Sequence, residues 1–86
     1  MEFEIGQVVI SKAGRDKGEC FVVFDVQGEF LQLVDGKRRR AANPKKKKTK
    51  HIQPTNTVDT ILKEAILGQK YLKDSDFRSV LDDFKA

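Results

Sequence analysis

Over residues 5–35 the apolar positions come in short β-branched and aromatic runs, cut by glycine-rich turns. That is the punctuation of strands, not the period of helices. Three strands are expected. The first covers about residues 7–12, with Val8 and Ile10 on one face and Val9 on the other. The second covers about residues 19–26, where Cys20, Val22, Phe24 and Val26 alternate with Phe21 and Val23. Apolar groups on both faces mark it as central or strongly curved. The third, about residues 30–34, sets Leu31 and Leu33 against Phe30, Gln32 and Val34. Gln27-Gly28-Glu29 is short enough to close a hairpin, with Gly28 free to take positive φ. Asp35-Gly36 is a second turn signal, leading into residues 37–41. Asn43-Pro44 ends whatever strand holds Arg38, Arg39 and Arg40, and residues 45–48 are expected to be extended and solvated. His51-Ile52 reads as a short closing strand, and Pro54-Thr55-Asn56-Thr57 as a connector.

From Thr57 the period changes from two to about 3.6 residues. Val58, Ile61, Leu62, Ala65 and Ile66 predict a helix over about residues 58–67, with Thr57 as N-cap, Asp59 at the positive end of the dipole and Gly68 as C-cap. Asp74 or Ser75 caps a second helix whose apolar face holds Phe77, Val80, Leu81 and Phe84. Helices this short must pack on each other, on the strands, or on a partner.

A chain of 86 residues is one domain, or a small domain with an appendage, and has no room for a large catalytic cleft. The single Cys20 excludes an internal disulfide and an all-cysteine metal cage, and it reads as a small buried hydrophobe. No apolar run reaches the roughly 18–20 residues that cross a bilayer, and residues 1–7 carry two acids where a signal peptide has bases. A cytoplasmic location is expected. The net charge of +4 conceals segregation. Residues 1–36 hold three bases and seven acids, residues 37–57 nine bases and no acid, and residues 58–86 five bases and six acids. The middle block is the outlier, and such a block points to a polyanionic partner.

Ile5-Gly6-Gln7-Val8-Val9, Ser11-Lys12-Ala13-Gly14-Arg15-Asp16-Lys17-Gly18, Phe21-Val22-Val23 and Leu33-Val34-Asp35-Gly36 together resemble a KOW motif. The likeness runs on through Lys37-Arg38-Arg39-Arg40, Pro44-Lys45-Lys46-Lys47-Lys48 and Lys50-His51, so that it covers roughly residues 3–55. The chain looks like the bacterial KOW-domain RNA-binding proteins, which are similar to KOW-containing large-subunit ribosomal proteins of eukaryotes and archaea. The resemblance implies a small SH3-like barrel whose first loop, here residues 11–18, contacts ribosomal or other RNA. At Glu19-Cys20 the chain departs from the broader KOW pattern, which carries a further small residue there. That departure suits the ribosomal-type subgroup and sets aside inferences from transcription-factor KOW domains.

Three groups of cations are the candidate RNA-binding residues. Lys12, Arg15 and Lys17 lie in the first loop beside Gly14 and Gly18, which let backbone amides approach a phosphate; the plain alternative is a solvated hairpin turn. Lys37, Arg38, Arg39 and Arg40 follow a turn, and in a strand Lys37 and Arg39 would point one way, Arg38 and Arg40 the other. Their plain alternative is an edge strand guarded by charge. Lys45, Lys46, Lys47, Lys48 and Lys50 are flexible point charges suited to sequence-independent attraction, with a solubilising, membrane-surface or nuclear-targeting run as the alternatives. No apolar residue within the run can enter lipid. Phe21 and Phe24 are expected in the core, with Phe30, beside the Gly28 turn, the aromatic best placed to meet a base. Lone His51, far from a nucleophile or ligand set, and the lack of a phosphate-binding glycine loop argue against an enzyme, a metal or a cofactor.

These observations predict a mainly β chain: a KOW-type SH3-like barrel over residues 1–55, including the basic segment 37–50, and a two-helix appendage over residues 56–86. The expected activity is RNA binding at the ribosome. The rival expectation is an adaptor whose helices bring a protein partner to the ribosome.

Overall fold

The computed structural model describes residues 3–86, and the acidic start read at Glu2 lies outside them. Five antiparallel strands form one sheet in the order β4-β3-β2-β1-β5: β1 (Gln7–Ser11), β2 (Cys20–Gln27), β3 (Phe30–Val34), β4 (Lys45–Lys48) and β5 (Ile52–Val58). Two helices follow, α1 (Thr60–Leu67) and α2 (Asp74–Lys85). The chain is thus mainly β, with a helical pair at its C-terminal end. Among the described residues no helix is long and apolar enough to cross a membrane.

Alternation along β1, β2 and β3 sends apolar side chains to both faces, and both faces are buried. On the inner face Val9, Phe21, Val23, Leu31, Leu33 and Ile52 form one cluster, with Phe3 against it. Ile52 begins β5 and Leu31 lies in β3, three strand positions apart, which a flat sheet would separate by about 14 Å. The six residues of this cluster are at most 2% exposed although no helix residue belongs to it, and Lys47 of β4 reaches Ser11 of β1, also three strand positions away, at 2.7 Å, so the sheet curls on itself. On the outer face Val8, Val22 and Val34 meet Leu62 of α1 and Phe77 and Leu81 of α2. The helices share a core with the sheet, and Phe24 adds a tilted ring contact to Phe77 at 6.2 Å.

Several boundaries differ from expectation, each for a physical reason. The hairpin after β2 forms as expected, with Gln27 opposite Phe30 and Gly28 at φ 61°. A bulge between Val23 and Asp25 breaks the expected alternation, so Val26 leaves the face of Val22 and is exposed at the strand end. Cys20 is half-buried against the outer cluster and not fully enclosed. Residues 54–57 are strand, not connector. Pro54 is tolerated because β5 is an outermost strand, and Thr55 donates its hydroxyl to the Val8 carbonyl at 2.6 Å. Gln7, buried, completes the stitch by donating to the Thr55 carbonyl at 2.9 Å. Because β5 runs to Val58, the first helix starts later than the apolar period suggests. Its N-cap is Asp59, whose carboxylate accepts from the Leu62 amide at 2.8 Å, and Thr57 is left in the strand. Gly68 does cap its C-terminus, while the left-handed residue that follows is Gln69, at φ 53°.

Candidate nucleic-acid interface

The first loop, residues 11–18, folds around a carboxylate. Asp16 is 7% exposed and accepts from the Ser11 hydroxyl at 2.7 Å. The Lys47 ammonium lies 2.6 Å from its Oδ1, and the Lys45 ammonium 2.8 Å from its Oδ2. Lys47 also donates to Ser11 Oγ and to the Ala13 carbonyl. Burial alone would raise the Asp16 pKa; hydrogen bonds from Lys45, Lys47 and Ser11, with the charge of Lys47, outweigh it and hold the carboxyl well below its ordinary range. The loop is thereby clamped to β4, some 30 residues further along the chain.

Residues 45–48 are extended, as expected, but the clamp leaves only two of the four solvated. They form β4, paired with β3 so that Lys45 faces Leu33 and Lys47 faces Leu31. These two lysines turn to the inner side and are half-buried, whereas Lys46 and Lys48 turn outward and are exposed. An outermost strand made of lysine also resists edge-to-edge association.

The arginine segment is corrected as well. Residues 37–40 form a tight loop and not a strand, because the Asp35 carboxylate accepts from the amides of Lys37 at 2.8 Å and Arg39 at 2.9 Å. The Asp35 amide in turn donates to the Arg39 carbonyl at 2.9 Å. This is the local side-chain-to-backbone bonding by which aspartate makes turns. The alternating arrangement of the four cations does not occur.

Gly36 joins this loop to α2. It has φ +76°, and a Cβ there would run into the carbonyl oxygen of Asp74 and the side chain of Arg78. Arg78 donates to the Gly36 carbonyl at 2.7 Å. Gly36→Ala is therefore expected to lower the thermal midpoint strongly, since left-handed strain and a backbone collision add at one atom. A cost of about 2 kcal/mol or more is expected, with Gly28→Ala, whose Cβ meets open space, as the milder control in the same melting series.

The two loops and β4 meet at one cleft of about 130 Å³, lined by Arg15, Arg38, Arg39 and Lys45 with Asp16, Glu19, Asp35 and Phe21. Four of the twelve candidate cations, drawn from all three sequence groups, thus share a concavity. Two of its acids are already engaged: Asp16 by lysines and Asp35 by backbone amides. A scan against protein-family models finds no match for this chain. What the site can do therefore rests on its geometry.

The remaining candidates sit apart from the cleft or have other commitments. Arg40 lies 3.4 Å from Asp74 at the start of α2. Lys12, Lys17 and Lys37 are exposed around the cleft's loops, and Lys50 is exposed in the single 3-10 turn (Thr49–His51) between β4 and β5. His51 stands in that turn, and the expected short closing strand is instead the seven-residue β5, begun by Ile52. Among the described residues no cluster of three or more His, Cys, Asp or Glu that could hold a metal is found. Sequence reasoning missed Asp16, Asp35 and Arg78, which position the cations without being cations of the interface themselves. The available signal for Asp16 was its place as the one acid among three bases in the first loop.

Proposed function

We propose that the protein is a non-enzymatic RNA-binding protein that grips the phosphate backbone at the cleft of Arg15, Arg38, Arg39 and Lys45 and along the outward side of β4. The observation that carries this reading is the convergence of cations from residues 15, 38, 39 and 45 on one concave surface held by the Asp16 and Asp35 anchors. Guanidinium forks on a braced loop suit bidentate phosphate contacts, and lysines nearby add charge without sequence preference. The KOW resemblance of residues 3–55 points the same way. So does the connection of β4 to β5 by a single 3-10 turn in a curled five-stranded sheet, which supports an SH3-like barrel of the KOW type. On that resemblance the expected target is ribosomal RNA in the cytoplasm.

Polarisation titrations against salt test the reading. The logarithm of affinity should fall steeply with the logarithm of salt, and the triple change Arg15→Gln, Arg38→Gln, Arg39→Gln should reduce the slope by about 2 on a single strand. A slope near zero for the wild type overturns phosphate binding. A second reading, recruitment of a protein, is favoured by Ile61, Leu67 and Tyr71, which are 81%, 59% and 87% exposed on the helical side. Leu67→Ser with Tyr71→Ser leaves the salt slope intact if RNA is the ligand of the cationic surface, so ribosome association lost in that variant alone would favour the adaptor.

A further inference from the structure

At the hairpin end of β3, away from the cleft, an aromatic ring and two unpaired ammonium groups stand on one face. Phe30 pairs across the ladder with Lys48 on one side and Gln27 on the other, and Gln32, two residues on, pairs with Lys46. Directly paired antiparallel residues point to the same side, so Phe30, Gln32, Lys46, Lys48 and Gln27 share the outer surface. The Lys46 ammonium lies 4.6 Å from the Phe30 ring centroid and that of Lys48 5.8 Å. The ring is half-buried, and neither lysine has an acidic partner among the described residues. On the same face Gln32 donates to the Gln27 carboxamide oxygen at 3.4 Å, and Gln27 donates to Asp25 at 3.0 Å.

We propose that Phe30 is a stacking platform for one unpaired nucleobase of the bound RNA, with Lys46 and Lys48 holding the phosphates on either side of it. The inference rests on the RNA-binding reading and deepens it by naming the substrate class: RNA with at least one unstacked base, as in a single strand, loop or bulge. A ring over which cations already rest presents the electron-rich face that a base also covers, and the flexible lysine stems can swing to phosphates as the base enters. Their roots are about 7 Å apart along the strand, so the two ammonium groups reach different phosphates. Within an uninterrupted duplex every base face is occupied by its neighbours, leaving Phe30 nothing to stack on. Platform and cleft border opposite ends of β4, about 10 Å apart along its backbone, the platform on the outward side and Lys45 of the cleft on the inward side.

Two variants of the full chain, titrated with a short unstructured RNA and with a fully paired duplex of the same composition, decide the matter. Phe30→Leu should weaken binding of the single strand about tenfold while leaving the duplex affinity unchanged. Phe30→Trp should keep the affinity, and because the chain has no other tryptophan, its indole emission should be quenched by the single strand and not by the duplex. Equal effects of Phe30→Leu on both RNAs, or none on either, would overturn the platform, as would indole emission that saturating single strand leaves unchanged. Should Phe30→Leu not fold, the indole signal decides alone. Failure of wild-type chain to bind either RNA would instead remove the RNA-binding reading itself, and the platform with it.

Discussion

Replacing Asp16 by asparagine is expected to cost about 3 kcal/mol or more of stability, the range found when one partner of a buried ion pair is removed. The substitution keeps the side chain's shape but leaves Lys47, 11% exposed at its side chain, without a counter-charge, and Lys45 likewise. Urea unfolding followed by far-UV circular dichroism reads the loss directly. Adding Lys47→Met should restore part of it, because the uncompensated charge is then gone; a double variant no better than the single one would show that the clamp acts by some other means. The effect has a defined pH dependence. Hydrogen bonds and lysine charge outweigh burial and lower the native pKa of Asp16, so the unfolded chain takes up its proton first as pH falls. Stability from this group is therefore complete above the ordinary carboxylate value of about 4 and is lost as pH falls below it towards the native value. The gap between wild type and Asp16→Asn should be full at neutral pH and narrow in acid.

Phe77→Ala is the second large effect expected. The ring is fully buried between α2 and the outer face of the sheet, against Val8, Val22 and Val34. Truncation removes its transfer free energy and leaves a cavity, together about 3–5 kcal/mol. A chain of this length holds a net stability of only about 4–13 kcal/mol, so the loss takes from about a quarter of that stability to all of it. The strand and helix signals should melt in one transition, since Val8 and Val22 alternate with Val9 and Val23 of the inner cluster on the same two strands. Separate transitions would show that the helices fold independently of the sheet. Phe77→Leu, which keeps most of the volume, should cost much less.

The first three strands and both helices were legible because each has a strong hydrophobic period. Apolar residues on both sides of β2 also carried the news that the sheet has two buried faces, although not that α1 and α2 cover one of them. β4 was not legible. Lysine has poor strand propensity and a run of it has no alternation, so its structure comes from pairing with β3 and from a carboxylate far upstream. The arginine loop was half legible: Asp35-Gly36 announced the turn, but the Asp35 side chain extends that turn through Arg39. At the site, the cations were visible as composition; which of them converge, and which are tied to Asp16, depends on contacts across 30 residues that no local pattern encodes.

The four identical side chains of β4 carry a consequence for how the molecule assembles. A strand normally finds its alignment because a slip of one place turns its greasy side outward. Sliding Lys45–Lys48 by one place along β3 puts lysine where lysine was at nearly every point, so the strand's own side chains barely penalise the error. The alignment must be chosen at the ends. Pro44 stops it on one side; on the other, the Thr49 amide donates to the Glu29 carbonyl at 2.8 Å, and Ile52 reaches the interior only if the intervening turn has the right length. Removing Thr49, or adding an uncharged residue between Lys48 and Ile52, would thus leave every charge of the strand in place and still misalign the chain.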